Sequence, residues 1–217
     1  MNKIFQIAID GPTASGKSTI SSIIAEELKI AYIDTGAMYR ALALKAYRKG
    51  FDSSFEDGIN GLLDDISIDF REDGVYLDGE NVSDQIRENH ISLYASTISA
   101  YPKVREVLTK MQKEIASNKS VIMDGRDIGT NVLKDAEYKF FLIASPEVRA
   151  IRRYKELESR GDKIELDKLI EEINQRDFND TNRKINPMKK AKDAMEIDTS
   201  EMTVEEVKNF IISRINE

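Results

Sequence analysis

The sequence predicts an α/β protein with a doubly wound, five-stranded parallel sheet flanked by helices. Three observations support this fold class. Strand-like apolar runs alternate with helical patterns along the 217 residues, the first run ends at Asp10, and a glycine-rich loop then opens a helix. Alternation of this kind favours a parallel sheet, because each helix returns the chain to the same edge. We expect the first strand to lie at its centre.

The composition limits the class of protein. Of the 217 residues, 41% are hydrophobic, none is cysteine, and the formal net charge is −7. The lack of cysteine excludes disulfides and thiolate metal sites, and the charge argues against nucleic-acid or membrane partners. Because the sequence shows no leader pattern and no apolar run of about 20 residues, we expect a cytoplasmic monomer that acts on small molecules.

A phosphate-binding loop follows the first strand. Residues 11–18 match G-x-x-x-x-G-K-S, in which two glycines let backbone N–H groups turn towards an anion. Lys17 can reach the β- and γ-phosphates, and the Ser18 hydroxyl can ligate the accompanying Mg²⁺. A chance glycine-rich turn is the alternative, but the preceding strand and the helical pattern at 19–28 argue against it. The predicted triphosphate-binding residues are Asp10, Gly11, Pro12, Thr13, Ala14, Ser15, Gly16, Lys17, Ser18 and Thr19.

A second anion site is predicted where the next strand, 30–34, ends at Asp34. Thr35 follows and opens a helix that runs to about residue 49. The Thr35 hydroxyl could cap this helix or contact a phosphate, and the sequence leaves both open. Arg40 lies near the first turns of the same helix, so it could point at the same anion.

A small substrate-binding lobe is predicted over residues 50–100. Gly50 ends the preceding helix, and Pro102 separates two later helices because proline cannot continue a helix. We expect a short helical stretch, two strands and two helices over 54–65, 66–70, 74–79, 88–100 and 103–117, in that order.

The main sheet then resumes with three predicted strands, at 120–124, 138–144 and 194–198. Arg126 and Asp127 follow the first of these strands, at the carboxyl end where ligands of open parallel sheets gather. The chain closes with a helix that runs to residue 215, for which Thr203 and Glu206 form a capping box.

Two helices between these strands carry groups of charged residues. The first begins at Ser145 and holds three arginines on one side: Arg149, Arg152 and Arg153. The second runs from about 165 towards 183. Its spacing directs three side chains to one face, as a clamp for an anion and a hydroxyl: Arg176, Asp180 and Arg183. A surface salt-bridge pair with a spare arginine is the alternative.

These motifs together resemble the bacterial cytidylate kinases, of the P-loop nucleoside monophosphate kinase superfamily. The resemblance spans nearly the whole chain, inserted lobe included. Its most specific parts are an Asp-Gly-Arg-Asp-x-Gly-Thr turn and an Arg-Asp-x-x-Asp-x-x-Arg segment. The segments that carry it are Ile9-Asp10-Gly11-Pro12, Asp34-Thr35-Gly36-Ala37-Met38-Tyr39-Arg40, Pro102-Lys103-Val104-Arg105, Asp124-Gly125-Arg126-Asp127-Ile128-Gly129-Thr130 and Arg176-Asp177-Phe178-Asn179-Asp180-Thr181-Asn182-Arg183.

The resemblance implies a P-loop kinase fold and transfer of the γ-phosphoryl group of ATP to CMP or dCMP. It implies that Ser96, Arg105 and Asp127 read the pyrimidine. A hydroxyl and a guanidinium can serve the O2 and N3 acceptors of cytosine, and a carboxylate can receive its amine. Uracil would set its O4 against Asp127 and leave a buried carboxylate unpaired. The other acceptor-site residues implied are Thr35, Arg40, Arg126, Arg176, Asp180 and Arg183.

The resemblance also implies how the transferring phosphoryl group is stabilised. The candidate catalytic residues are Lys17, Arg126, Arg152, Arg153 and Arg183. A lid over residues 149–163, to which Arg149 also belongs, would close and exclude water, since hydrolysis competes with transfer. Ser18 is the one metal ligand assigned. The acid that supports Mg²⁺ is left open among Asp10, Asp34, Asp124 and Asp127.

Three other functions fit the sequence less well. One is a P-loop kinase for another small acceptor, namely UMP, shikimate or dephospho-coenzyme A. Of these, shikimate and dephospho-coenzyme A would leave the set of Ser96, Arg105 and Asp127 unexplained. A regulatory nucleotide switch lacks support, because the sequence has no Asn/Thr-Lys-x-Asp motif to read guanine. A nucleic-acid-remodelling ATPase is disfavoured by the net charge of −7 and by the lack of a second motor domain.

Overall fold

The structure, a computed structural model, describes residues 4–161 and 165–216, so residues 162 and 163 of the predicted lid lie outside it. Its helices are α1 (Lys17–Leu28), α2 (Thr35–Arg48), α3 (Glu56–Gly61), α4 (Asn89–Ile98), α5 (Pro102–Ala116), α6 (Pro146–Ser159), α7 (Leu166–Asn182) and α8 (Val204–Ile215). Its strands are β1 (Gln6–Asp10), β2 (Ala31–Asp34), β3 (Ile68–Arg71), β4 (Gly74–Leu77), β5 (Glu80–Asn81), β6 (Val121–Gly125), β7 (Tyr138–Ile143) and β8 (Met195–Asp198). No helix in the described ranges combines the length and apolarity needed to cross a membrane.

The described residues form two compact units. One contains the residues up to Tyr32 and those from Asn118 onwards, and the other is Ile33–Ser117. The second unit has wider bounds than the lobe predicted over 50–100, because α2 and α5 share its apolar core.

The main sheet has five strands in the order β2-β6-β1-β7-β8, with β1 at the centre. β1 pairs in parallel with β6 and β7, and Ile9 lies opposite Asp124 on one side and Phe140 on the other. The predicted five-stranded parallel sheet around the first strand is therefore confirmed. Because the strands run the same way, the carboxyl ends of β1 and β6 meet at one edge.

Apolar residues on helical spacing cover this sheet. In α1, Ile20 and Ile24 pack with Ile9 of β1, and α8 adds Val207 and Ile211 to the same cluster. A separate cluster joins α6 and α7 through side chains such as those of Leu157 and Ile173. Each buried Ile or Leu contributes about 1.5–3 kcal/mol, so these faces hold the helices that carry the charged side chains.

The unit Ile33–Ser117 is built around α2. Met38 and Leu42 of α2 are fully buried with Ile91 and Ile98 of α4 and Leu108 of α5. Beside them, β3, β4 and β5 form an antiparallel sheet. The sequence predicts the first two of these strands but not the two-residue β5, which is too short for a detectable alternation.

Helix ends test the predicted caps directly. Thr203 and Glu206 form the predicted capping box, and Gly50, with φ +73°, follows the end of α2 as predicted. The prediction that Thr35 could cap α2 is wrong. The cap is Asp34, whose Oδ1 accepts from Ala37 N–H at 2.9 Å, because a carboxylate at the end of β2 already occupies the capping position.

Candidate active site

The phosphate-binding loop lies between β1 and α1, at the carboxyl edge of the sheet. Gly11 has φ +147°, and a Cβ there would lie 2.1 Å from Leu142 O, so β7 leaves no room for a side chain. Gly16 has φ +93°, a left-handed conformation, immediately before α1. The loop thus needs one glycine for a close approach and the other for a turn.

The Lys17 side chain is buried and bonds back to the loop. Its Nζ donates to Pro12 O at 2.6 Å, and Ser15 Oγ donates to the same carbonyl at 3.1 Å. Burial, followed by the neighbouring Arg126, lowers the pKa of Lys17 to about 7. A phosphate beside Nζ would raise that pKa again, because a nearby negative charge favours the ammonium form.

Ser18 and Asp124 form the pair of groups best suited to Mg²⁺. Ser18 Oγ donates to Asp124 Oδ2 at 2.8 Å, and Tyr32 OH donates to Asp124 Oδ1 at 2.8 Å. Within residues 4–161 and 165–216, no cluster of three His, Cys, Asp or Glu side chains could hold a metal by itself. One hydroxyl and one carboxylate fit an ion that keeps several waters and binds mainly through substrate phosphates, as Mg²⁺ does.

Asp10 is buried at the end of β1, and its carboxylate binds the segment that follows β6. Oδ1 accepts from Ile128 N–H and Oδ2 from Gly129 N–H, each at 2.8 Å. Burial raises the pKa of Asp10 to about 7, although both N–H groups favour the charged form. The sequence groups Asp10 with the triphosphate-binding residues, whereas these bonds tie it to a π-helical turn, Ile128–Val132, that the sequence does not predict.

Two arginines and two aspartates form a network of ion pairs in the same compact unit. Arg126 Nε donates to Asp180 Oδ2 at 2.8 Å. Arg183 Nη2 donates to Asp127 Oδ1 at 2.9 Å, and Arg183 Nη1 lies 3.4 Å from Asp180 Oδ1. Burial alone would raise the pKa of Asp180. Three guanidiniums outweigh it and hold that pKa below its ordinary value: those of Arg126, Arg176 and Arg183.

The geometry of the predicted clamp needs one correction. The sequence places Arg183 on the helical face of Arg176 and Asp180, but α7 ends at Asn182 and Arg183 follows it with φ −61° and ψ 144°. Arg183 Nε donates to Asn186 O at 2.8 Å, so the next turn of chain directs this side chain. It reaches Asp180 from beyond the helix.

Thr13 joins the phosphate-binding loop to this network. Its Oγ1 accepts from Arg126 Nη2 at 2.9 Å, and its N–H donates to Asp177 Oδ1 at 3.0 Å. Asp177 also pairs with Arg149, whose Nη1 donates to Thr13 O at 3.0 Å. Asp177 is a position of the Arg-Asp-x-x-Asp-x-x-Arg segment, but the sequence assigns it no role. Its place three residues before Asp180 puts both carboxylates on neighbouring turns of α7.

The three arginines of α6 have different partners. Arg149 is buried, and its Nε donates to Ala144 O at 3.0 Å. Arg152 donates to Thr199 Oγ1 at 3.0 Å and to Thr199 O at 2.6 Å, and Arg153 pairs with Glu156 at 2.8 Å. The group assigned to the lid therefore divides, since Arg149 binds the loop residue Thr13 while Arg152 binds the segment after β8.

In the unit Ile33–Ser117, Asp34 and Arg40 form an ion pair with Nη2–Oδ2 of 2.7 Å. Burial would raise the pKa of Asp34, but Arg40 and the Ala37 N–H hold it below its ordinary value. Thr35 is buried beside this pair. A Cβ on Gly36 would lie 2.9 Å from Arg40 Nη1, so the glycine lets the guanidinium fold back over the helix start.

The two predicted base-reading residues of this unit, Ser96 and Arg105, each carry buried polar atoms. Arg105 is 2% exposed, and its Nη1 donates to Ser99 O at 3.2 Å. The Arg105 guanidinium lies 5.8 Å from the ring centre of Tyr39. Ser96 Oγ is buried and has no hydrogen-bond partner within the described residues. A buried hydroxyl of this kind is costly in a folded chain unless something else bonds to it.

Comparisons with known proteins point to one family. The family model described as cytidylate kinase matches residues 7–217. A cytidylate kinase of Clostridioides difficile is 46% identical over 210 residues, covering 97% of each chain. One of Pediococcus pentosaceus is 48% identical over 217 residues, covering 98% of this chain and 96% of that one.

The solved structure of shikimate kinase from Bacteroides thetaiotaomicron matches 99% of this chain and 100% of its own, with a TM-score of 0.53 and 14% identity. At that identity the likeness concerns the P-loop kinase fold alone. The family model and the curated relatives, by contrast, cover the phosphate-binding loop, the turn after β6 and the charged helix α7 in one alignment. The chain belongs to the cytidylate kinase family.

Proposed function

We propose that this protein transfers the γ-phosphoryl group of ATP to CMP or dCMP, giving ADP and CDP or dCDP. Family membership supports this assignment. The single observation that carries it is the hydrogen bond of 2.9 Å from Arg126 Nη2 to Thr13 Oγ1. It sets a guanidinium from the turn after β6 against the loop that binds a triphosphate, so two phosphorylated ligands can be handled side by side.

On the donor side, the loop N–H groups and Lys17 bind the β- and γ-phosphates. Ser18 would hold Mg²⁺, with Asp124 as the supporting acid, and the ion would neutralise charge on the phosphate oxygens. The loose transition state of phosphoryl transfer needs positioning and charge stabilisation more than a covalent intermediate. The acceptor phosphate is itself the nucleophile, so no side chain has to supply one.

On the acceptor side, Arg126 and Arg183 serve the phosphate and stabilise the transferring group. We assign the remaining sugar and phosphate contacts to Thr35, Arg40, Arg176 and Asp180. Arg152 and Arg153 are proposed to add positive charge from the lid over residues 149–163.

The base is read by Ser96, Arg105 and Asp127. Asp127 Oδ1 accepts from Arg183 Nη2 at 2.9 Å and Oδ2 from Asn131 Nδ2 at 3.1 Å. A carboxylate has about four acceptor sites, so it can take a cytosine amine in addition to these two donors. The same carboxylate repels the O4 of uracil, which provides the discrimination.

A coupled ADP-release assay with CMP, dCMP, UMP, AMP and shikimate tests the assignment. We expect CMP and dCMP to stimulate ADP release most. An absence of stimulation by both would refute the proposed function, and a preference for UMP or shikimate would identify another acceptor. We further propose that the protein acts as a monomer on small molecules, which light scattering at assay concentration can check.

A further inference from the structure

The Asp10 carboxylate accepts hydrogen bonds from two consecutive backbone N–H groups. It lies at the end of β1 and is 3% exposed, and each of its oxygens takes one donor, Ile128 N–H or Gly129 N–H, at 2.8 Å. Above its raised pKa of about 7 the carboxylate is charged, and hydrogen bonds to a charged acceptor are among the stronger ones in proteins. The position of this short segment is therefore set by a side chain 118 residues earlier in the chain.

The segment that Asp10 binds, Ile128–Val132, begins directly after Asp127. Asp127 has φ −142° and ψ 29°, neither helical nor extended, and its carbonyl accepts from Asn131 N–H at 2.9 Å. A Cβ on Gly129 would lie 3.4 Å from Asp10 Oδ2 and 3.3 Å from Lys139 Cδ. The segment thus packs closely against Asp10 and Lys139, and no regular element continues it back to β6.

We infer that Asp10 is a positioning residue for the acceptor base, because it fixes the backbone from which the Asp127 carboxylate reaches its ligand. This inference rests on the proposed role of Asp127 in reading cytosine. The Asp10 oxygens face residues 128 and 129 and not the N–H groups of the phosphate-binding loop. Loss of these two hydrogen bonds should consequently weaken the binding of CMP more than the binding of ATP.

The decisive variant is Asp10→Asn. The amide has the same shape, and its oxygen can accept one N–H, but its NH₂ group cannot accept the other. Losing one charge-assisted bond next to Asp127 should raise the KM for CMP about tenfold, the effect expected for about 1.4 kcal/mol. The ratio of kcat/KM for CMP to kcat/KM for UMP should fall about fivefold, because a misplaced Asp127 carboxylate loses the contact with the cytosine amine that distinguishes the two bases. The ATP dissociation constant, measured without acceptor, should stay within about twofold.

Two further variants control this result. Asp52→Asn changes an exposed aspartate that accepts the Ser54 N–H at 2.9 Å, and it should leave all three quantities unchanged. Gly129→Ala adds a Cβ between this segment and both Asp10 and Lys139, and so pushes the segment away from Asp10. It should raise the KM for CMP about threefold, since the neighbours must yield by only a few tenths of an ångström.

The outcomes separate the two proposals. If the unmodified protein shows no ADP release with CMP or dCMP, the proposed function is wrong whatever the variants do. If it is active and Asp10→Asn keeps the cytosine preference, or loses ATP affinity as strongly as CMP affinity, the positioning role is wrong. Should Asp10→Asn fail to fold, an unchanged KM for CMP in Gly129→Ala overturns the inference.

Discussion

Replacing Ser96 by alanine should make the protein more stable and a poorer enzyme. Ser96 Oγ is buried in α4 without a hydrogen-bond partner among the described residues. An unsatisfied buried polar group costs about 1–3 kcal/mol, and alanine exceeds serine in helix propensity by up to about 0.7 kcal/mol. Allowing for the small cavity left behind, we expect a gain of about 1 kcal/mol, which raises Tm by about 2–4 °C for a chain of this size.

The same change should raise the KM for CMP by about twofold to tenfold, since one neutral hydrogen bond contributes about 0.5–1.5 kcal/mol. Thermal unfolding without ligands gives the first quantity and the ADP-release assay the second. Ser99→Ala is the matched control, because Ser99 Oγ already donates to Ser96 O at 2.8 Å. It should lower Tm and leave the KM for CMP within about twofold. A lower Tm together with an unchanged KM for Ser96→Ala would show that the hydroxyl serves the fold and not the base.

Three further changes test other parts of the site. Asp127→Asn should weaken discrimination between CMP and UMP more than ATP binding, and an unchanged cytosine preference in parallel titrations would contradict base reading. Gly11→Ala should cost about 3 kcal/mol or more in urea unfolding, because its Cβ would lie 2.1 Å from the backbone oxygen of Leu142. The pKa of Asp10, raised from 3.8 to about 7, means that the unfolded chain releases this proton at lower pH than the folded one. The free energy of unfolding of the unmodified protein, measured relative to that of Asp10→Asn, should hence fall by about 4 kcal/mol between pH 4 and 7 and level off above pH 7. Parallel curves for the two proteins would refute the shift.

Local pattern predicts what depends on local geometry. The apolar runs before Asp10 and Asp124 predict β1 and β6, and alternation of helices and strands predicts the parallel sheet, because period and order are properties of the sequence itself. The capping box at Thr203 and Glu206 is predicted for the same reason, since its bonds join residues three apart. The phosphate-binding loop is predicted on both grounds, because its glycine spacing is local and it stands between a predicted strand and a predicted helix.

Contacts between distant residues could not be predicted in this way. Asp177 and Thr13 are 164 residues apart, and nothing in either segment indicates that the carboxylate caps a loop N–H. The prediction that Thr35 could cap α2 failed because Asp and Thr both favour the capping position, and the exact end of β2 decides which of them occupies it. Helical spacing grouped the arginines of α6 correctly on one element, but their partners come from segments that only the fold brings near.

The network of arginines and aspartates explains how a buried cationic site can exist before its ligand arrives. A guanidinium buried without a partner would cost several kcal/mol, so Arg126 and Arg183 are folded against Asp180 and Asp127. If Arg126 and Arg183 bind the acceptor phosphate as proposed, that phosphate meets cations that are already dehydrated and oriented, and it adds a second anion beside the carboxylates. The affinity for the phosphate is accordingly the difference between the arginines paired with carboxylates alone and the arginines paired with carboxylates and phosphate. The arginine side chains are already oriented, so their orientation adds no further entropic cost. On the proposed assignment, Asp180 and Asp127 therefore contribute to the chemistry of the site although they carry the same sign of charge as the substrate.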